Sequence, residues 1–363
     1  MRAVFYFGNK FPQKEYTEKD MKTILFTGGG SAGHVVPNLA IMNEIRYSHR
    51  VIYMGTNGIE RGLVEKAGYT FFEIECPKLV RSLSLKNLTI PFRLKKAVNA
   101  AREILEKEKP DLVFSKGGFV SYPAVAAAHK LGIPALTHES DLSAGLCTKL
   151  IAKKCERVLT SFPETAKLFK NGEYVGSPIR KEILRGEKSR AKKKFSLSDE
   201  KPTLLILGGG SGSRAINEAV RADLKRLLAH FDILHLTGKG NLLTDAPEGY
   251  VQREFEQDMG SCYAAADLVL CRAGSNTLFE LLALKKPCLL VPLKKGSRGD
   301  QLENALYFEE KGLCRVLDEE KLPLLFDELM KAHCDEALKN ALEEAHIGSG
   351  LSNILSLIDK YAK

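Results

Sequence analysis

The chain has 363 residues, 44% of them hydrophobic and 27% charged, which suits two globular domains of roughly 150–180 residues better than a single core. No apolar run reaches the ~18 residues needed to span a bilayer, and residues 1–20 hold too short an apolar patch, with no small-residue cleavage site, for an export segment. The net charge of +9 suits a phosphorylated ligand or an anionic membrane surface. Nucleic acid is not expected, because no aromatic residues interleave with Lys and Arg in a binding motif. The eight cysteines form no CxxC pair and no Cys/His cluster of zinc spacing, so reduced thiols in a cytosolic protein are expected.

Val4–Phe7 is a candidate short strand, but residues 8–20 are polar and turn-rich, and Met21 directly precedes a clean buried strand. Residues 1–20 therefore read as a leader extension. The fold begins with a strand at Thr23–Thr27, a glycine turn and a helix from about Pro37 to Arg46. Strands follow at Val51–Met54, Asp111–Ser115, Ala135–Thr137, Val158–Ser161 and Glu173–Val175, most of them separated by helical stretches. Such alternation predicts a parallel sheet covered on both faces, here an N-terminal Rossmann-like domain over 21–185. The basic run around Lys192, Lys193 and Lys194 reads as a solvated helix and linker over 186–202. The opening then repeats: Thr23–Ser31 and Thr203–Ser211 each give a strand followed by Gly-Gly-Gly-Ser, 180 residues apart. A second domain is expected over 203–345, with strands at Ile233–Leu236, Leu268–Cys271, Leu289–Pro292 and Cys314–Leu317. The fold class is α/β, two doubly wound parallel-sheet domains facing across a cleft. Residues 346–363 are expected as a C-terminal helix, with packing back onto the first domain as one arrangement open to it.

A glycine turn between strand and helix brings backbone N–H groups and the helix N-terminus close to a ligand, which suits phosphates. Gly28, Gly30 and Gly33 satisfy GxGxxG, but the following strand, Val51–Asn57, ends without the acid that a dinucleotide ribose requires. A dehydrogenase is therefore disfavoured. His34 follows the turn at the start of a helix, where an imidazole can accept a proton or bond a phosphate. The segment Ala266–Glu280 is a strand, a small-residue turn and a helix. Gly274 and Ser275 allow a pyrophosphate to approach, and Glu280 can accept two hydrogen bonds from a ribose diol. Arg298–Ala305 opens a further helix with polar groups within reach of a sugar. No Asp-x-Asp motif is present, so neither a metal nor a cofactor is expected, and amides, helix dipoles and basic side chains would stabilise a leaving diphosphate.

Gly29–Pro37, Gly117–Pro123, His138–Asp141, Gly176–Arg180, Gly208–Asn217 and Cys271–Glu280, in this order and spacing, resemble the peptidoglycan N-acetylglucosaminyltransferases of glycosyltransferase family 28 over about residues 21–345. The resemblance implies a GT-B fold, with UDP-N-acetylglucosamine (UDP-GlcNAc) on the C-terminal domain and a lipid acceptor on the N-terminal one. It implies inverting, metal-independent transfer to the C4 hydroxyl of undecaprenyl-diphospho-N-acetylmuramoyl-pentapeptide (lipid I). By position, Asp141, Arg180, Gly209, Gly210, Ser211, Glu256, Gly274, Ser275, Asn276, Thr277, Leu278, Phe279, Glu280 and Gln301 would contact the donor. Ser31, Ala32 and Gly33 would sit at the diphosphate, and Gly117, Gly118 and Tyr122 on the acceptor side. His34, Glu139 and Asp141 are the candidates for general base. This chain departs from the family pattern at Ala32 (usually Gly), Asp141 (usually Asn), Gly210 (often Ser, with Ser211 adjacent) and Asp300-Gln301 (usually a Gln pair). Rival functions are a related GT-B enzyme acting on another lipid such as diacylglycerol, a UDP-GlcNAc 2-epimerase, and a non-catalytic nucleotide-sugar binder.

Because that acceptor is lipid-linked, a peripheral position on the cytoplasmic face of the membrane is expected. The acid-free stretch Lys78–Lys96 interleaves Leu79, Leu83 and Phe92 with Arg81, Lys86, Arg93 and Lys95, which suits the anionic inner leaflet. The rival account puts Leu83, Leu85, Leu88 and Leu94 in the core and the cations in water.

Overall fold

The computed structural model describes residues 21–78, 89–293 and 298–362. In chain order the first half holds β1 (Thr23–Thr27), α1 (Ala32–Ile45), β2 (Arg50–Gly55), α2 (Ile59–Lys66), β3 (Thr70–Glu73), α3 (Ile90–Glu108), β4 (Leu112–Ser115), α4 (Ser121–Leu131), β5 (Ala135–Glu139), α5 (Leu146–Ile151), β6 (Arg157–Thr160), α6 (Pro163–Ala166) and β7 (Gly172–Tyr174). The second half holds α7 (Lys188–Lys194), β8 (Thr203–Leu207), α8 (Arg214–Ala222), α9 (Leu224–Leu228), β9 (Asp232–Leu236), β10 (Tyr250–Arg253), α10 (Met259–Ala265), β11 (Leu268–Cys271), α11 (Ser275–Ala283), β12 (Cys288–Leu290), α12 (Asp300–Glu309), β13 (Arg315–Val316), α13 (Leu325–His333), α14 (Glu336–Glu344) and α15 (Leu351–Tyr361). Among the described residues, no helix is long and apolar enough to cross a membrane.

Two all-parallel sheets result, ordered β3-β2-β1-β4-β5-β6-β7 and β10-β9-β8-β11-β12-β13. Strand order reverses between β1 and β4, and again between β8 and β11. A crevice opens at the carboxyl ends of strands at such switch points. β1 and β8 are buried at every position, as a sheet covered on both faces demands. Their side chains alternate between layers: Ile24 and Phe26 enter one cluster and Leu25 another, while Leu204 and Ile206 part from Leu205 and Leu207 in the same way.

β3 and β10, both edge strands, carry no sequence signal strong enough to announce them. The basic segment at 186–202 is more than a linker. Ala191, Phe195 and Leu197 enter the core of the second sheet, Lys192 is buried and donates to the carbonyls of Ser198 and Lys201, and the remaining cations of α7 lie on its outer face. Helix α15 returns to the first sheet, where Leu351, Ile354 and Ile358 pack against Ile24, Phe26 and Ile41. The two chain crossings are bonded to each other: Gly350 N donates to Ser177 O at 2.8 Å, and Ile179 N to Ser349 Oγ at 3.2 Å.

Helix α1 begins five residues before the sequence expectation and contains Pro37. A proline has no N–H to offer the carbonyl four residues earlier, which here belongs to Gly33. That carbonyl instead accepts Asn276 Nδ2 at 3.0 Å from the other half of the molecule.

Candidate functional site

The first half of the cleft is built where β1, β4 and β5 end. His34, in the first turn of α1, has Nδ1 2.9 Å from Gly29 O and 3.1 Å from Ser31 Oγ. A carbonyl can only accept, so Nδ1 carries the proton, and in the neutral ring the lone pair lies on Nε2. Burial lowers the pKa of His34, and Lys116 lowers it further; the bond to Gly29 and the charge of Glu139 oppose this, and Arg298 adds to the lowering. The ring rests against the Gly117–Gly118 turn: a Cβ on Gly118 would stand 3.1 Å from Nδ1, and both glycines have φ near +80°.

Lys116, 2% exposed, lies immediately before that turn and donates to Ser140 Oγ. Burial pushes its ammonium down to about 8 against the attraction of Glu139 and Asp141. No motif marks Lys116 in the sequence beyond its place between a buried strand and two glycines.

The three base candidates differ in what they already hold. Glu139 is saturated: Oε1 accepts the N–H groups of Ser140 (3.0 Å) and Asp141 (3.3 Å), and Oε2 accepts Gly145 N (2.9 Å) and Thr148 Oγ1 (2.6 Å). It shapes the loop 140–145. Asp141 points across the cleft, accepting Asn304 Nδ2 at 3.0 Å and facing Arg298 at 3.5 Å, while Asn304 Oδ1 accepts Leu142 N at 2.9 Å. Burial and the nearby Glu139 raise its pKa to about 6. His34 Nε2 makes no hydrogen bond among the described residues.

On the second half, Ser275 Oγ, at the start of α11, donates to Ser140 O at 2.5 Å, and Asn276 reaches Gly33 as described. Glu280, one and a half turns on, accepts Tyr263 Oη at 2.8 Å and faces Arg180 at 3.7 Å. Burial raises its pKa, and Arg180 and Tyr263 oppose that. Val36, Pro37, Ser177, Pro178, Arg180 and Asn276 line a narrow cleft with Glu280. Gln301 Oε1 accepts Leu293 N at 3.0 Å. The second glycine turn exposes Gly209, Gly210 and Ser211 to solvent, with Ser213 behind them holding Ile216 N and Arg272 (2.8 Å). Gly274 caps α11, and Thr277 is half-buried. Glu256 accepts Asp258 N at 2.9 Å.

Several expected contacts need correction at the side-chain level. Leu278 and Phe279 are core residues, Phe279 packing edge-on to Phe162 at 5.0 Å, so only their backbone can face a ligand. Tyr122 packs against the core beneath the first sheet. The first glycine turn is also not a free phosphate cradle. Gly30 N already donates to the carboxylate of Glu60 at 3.3 Å, a residue that nothing in the sequence singles out. Ser31 and Gly33 are exposed and Ala32 half-buried at the turn's rim. On the segment expected to meet the membrane, Phe92 is 77% exposed and Arg93 and Lys95 are exposed, whereas Leu94 is half-buried. Leu79, Arg81, Leu83 and Lys86 lie outside the described residues, as do Val4–Phe7.

Two family models match the chain: the glycosyltransferase family 28 N-terminal domain over residues 24–160 and the C-terminal domain over 203–356. A UDP-N-acetylglucosamine--N-acetylmuramyl-(pentapeptide) pyrophosphoryl-undecaprenol N-acetylglucosamine transferase of Clostridium botulinum (strain Langeland) is 46% identical, over 94% of this chain and 100% of its own. The Clostridium tetani protein of the same name is 42% identical, over 94% and 98%. Among solved structures, Acinetobacter baumannii MurG superposes with a TM-score of 0.73 at 26% identity, over 93% of this chain and 99% of that one. The calicheamicin glycosyltransferase CalG4 shares the fold at a TM-score of 0.70 and 17% identity, over 94% and 98%.

Proposed function

The chain belongs to glycosyltransferase family 28, and from that membership and the cleft geometry we propose that it transfers N-acetylglucosamine from UDP-GlcNAc to the C4 hydroxyl of lipid I, giving lipid II with inversion at the anomeric carbon. One observation carries the assignment of roles. Asn276, the second residue of the helix proposed to bind the donor diphosphate, bonds to Gly33, the residue next to His34. That contact supports a reading in which the leaving group and a proton acceptor meet between the halves.

His34 Nε2 takes the proton of the acceptor hydroxyl. Its oxygen attacks the anomeric carbon from the face opposite the diphosphate, and the bond to the β-phosphate oxygen breaks with its electron pair leaving on UDP. The N-terminus of α11 and Arg180 stabilise that developing charge, and Glu280 holds the ribose. Glu139 has no lone pair free for the substrate and serves as the frame of the 140–145 loop. Asp141 and Asn304 close the halves over the donor.

The reading is tested by measuring UDP release with UDP-GlcNAc and with UDP-glucose, each in the presence and absence of lipid I. Release that requires lipid I and favours UDP-GlcNAc is expected. Conversion of the sugar nucleotide without lipid would indicate an epimerase, and a different lipid requirement would indicate another acceptor. We also place the chain at the cytoplasmic membrane surface, supported by the exposed Phe92 beside Arg93 and Lys95 at the start of α3.

A further inference from the structure

We propose that Glu60 is a positioning residue for this transfer: through the Gly29–Gly30 peptide its carboxylate fixes His34 with the proton on Nδ1 and the lone pair of Nε2 toward the acceptor. The inference rests on His34 being the base.

Glu60, in the first turn of α2, is fully buried. Its Oε2 accepts the N–H of Gly30 at 3.3 Å; Oε1 accepts Thr56 N at 3.1 Å and the Thr56 hydroxyl. No ion pair involves it among the described residues. Burying an unpaired carboxylate costs several kcal/mol, so packing alone would favour a neutral side chain here. The surroundings are shaped to the carboxylate. A Cβ on Gly29 would lie 2.5 Å from Oε1, one on Gly58 2.8 Å from Oε2, and one on Gly55 2.9 Å from Glu60 Cγ.

The N–H that Glu60 takes and the C=O that His34 bonds belong to one amide group, the peptide between Gly29 and Gly30. A carboxylate at the N–H end polarises the amide and makes its oxygen a stronger acceptor. His34 Nδ1 donates to that oxygen at 2.9 Å. The arrangement follows the logic of a carboxylate that orients a catalytic histidine and stabilises its imidazolium, with one peptide inserted between the two. The other charges facing the ring are Lys116 at the end of β4, Glu139 at the end of β5, and Arg298 ahead of α12. Both cations oppose the imidazolium that forms when the hydroxyl proton reaches Nε2, and Glu139 is already bound by four donors. Among the described residues, Glu60 is the one acid joined to the ring through hydrogen bonds.

Glu60→Gln keeps the shape and an acceptor for Gly30 N–H but removes the charge. With UDP-GlcNAc and lipid I, kcat is expected to fall about tenfold or more, the usual scale for a partner that orients a catalytic group, while KM for UDP-GlcNAc stays within about twofold. In NMR of the full chain the His34 Nδ1–H resonance should move upfield as its bond to the Gly29 carbonyl weakens, and the ring should titrate at lower pH, a signature that a merely structural role would not produce. On a His34→Gln background the same change should cost nothing further. If His34→Gln is inactive while Glu60→Gln keeps full kcat and leaves the His34 Nδ1–H resonance and titration unmoved, the relay is overturned. If His34→Gln itself is fully active, the assignment of the base fails, which is a separate outcome. Should Glu60→Gln not fold, Gly29→Ala serves instead. Gly29 has no left-handed φ, and the new Cβ would displace the carboxylate from the amide. The same loss of kcat is expected, and full activity would overturn the proposal.

Discussion

Glu280 and His34 are both held in the cleft by partners that tune what they can bind. Glu280 has one oxygen on Tyr263 and the other facing Arg180, which fixes the orientation of the carboxylate proposed to hold the ribose. Glu280→Ala should weaken UDP-GlcNAc binding by roughly 1.5–3 kcal/mol, the scale of a charge-assisted hydrogen bond. Calorimetric affinity within about twofold of wild type would remove it from the donor site. His34 has a pKa below the ordinary value of 6.5, with burial the largest cause and Lys116 the next. Only the neutral ring can accept the hydroxyl proton, so kcat/KM should hold through pH 6.5 and fall at lower pH. Lys116→Met removes a cation that disfavours the imidazolium. The acid limb of the profile should therefore move to higher pH, and an unmoved limb would mean that Lys116 does not act on His34.

Between elements, the cleft is held shut by the loop after β5 and the start of α1 on one side and by α11 and α12 on the other. Asp141 makes this contact pH-dependent. Its pKa, about 6, stands above the ordinary 3.8 because burial and Glu139 penalise its charge more than Asn304 and Arg298 favour it. A carboxyl raised in the folded state contributes stability that is full below the unfolded pKa and is lost as pH rises through the folded one. Asp141→Asn keeps an acceptor for Asn304 and carries no charge. It should raise stability by up to about 3 kcal/mol at pH 8 and by almost nothing below about pH 3, read from denaturant melts at the two pH values. Equal stability at pH 8 would show that Asp141 carries no such penalty. This contact also marks what the sequence could and could not disclose. Buried strands such as Thr23–Thr27 announce themselves by continuous apolar character, and the glycine turns by composition, so the sheets and the positions of His34 and Glu280 were legible. The edge strands β3 and β10 were not, because half-buried residues there give no strong period. Glu60 and Lys116 were not either. Each is an ordinary charged residue in its own segment, and each acquires its role only when a neighbouring element is folded over it.

At the scale of the whole molecule, a chain with no membrane-crossing helix among its described residues must still meet an acceptor that carries a polyprenyl chain. The surface proposed for that meeting is the start of α3. Phe92 is 77% exposed at the first turn, with Arg93, Lys95 and Lys96 exposed beside it, while Ala97, Val98 and Ala101 on the same helix are core residues. The helix is thus anchored through its middle and leaves its N-terminal turn outward. Leu94, half-buried, falls between the two accounts of the segment. An aromatic side chain can enter the headgroup zone while each cation gains up to about 1 kcal/mol from anionic lipid. Replacing Arg81, Lys86, Arg93 and Lys95 with Gln should therefore weaken sedimentation with phosphatidylglycerol-containing vesicles, and Phe92→Ala should weaken it further. Raising salt should do the same to the wild type, since exposed charges are screened over about 8–10 Å at 0.1–0.15 M and less at higher salt. UDP-GlcNAc affinity should not change, because Glu280 and Arg180 lie in the interdomain cleft and make no hydrogen bond or ion pair with α3 among the described residues. Vesicle binding indifferent to both the substitutions and the salt would show that the chain reaches its lipid by another surface.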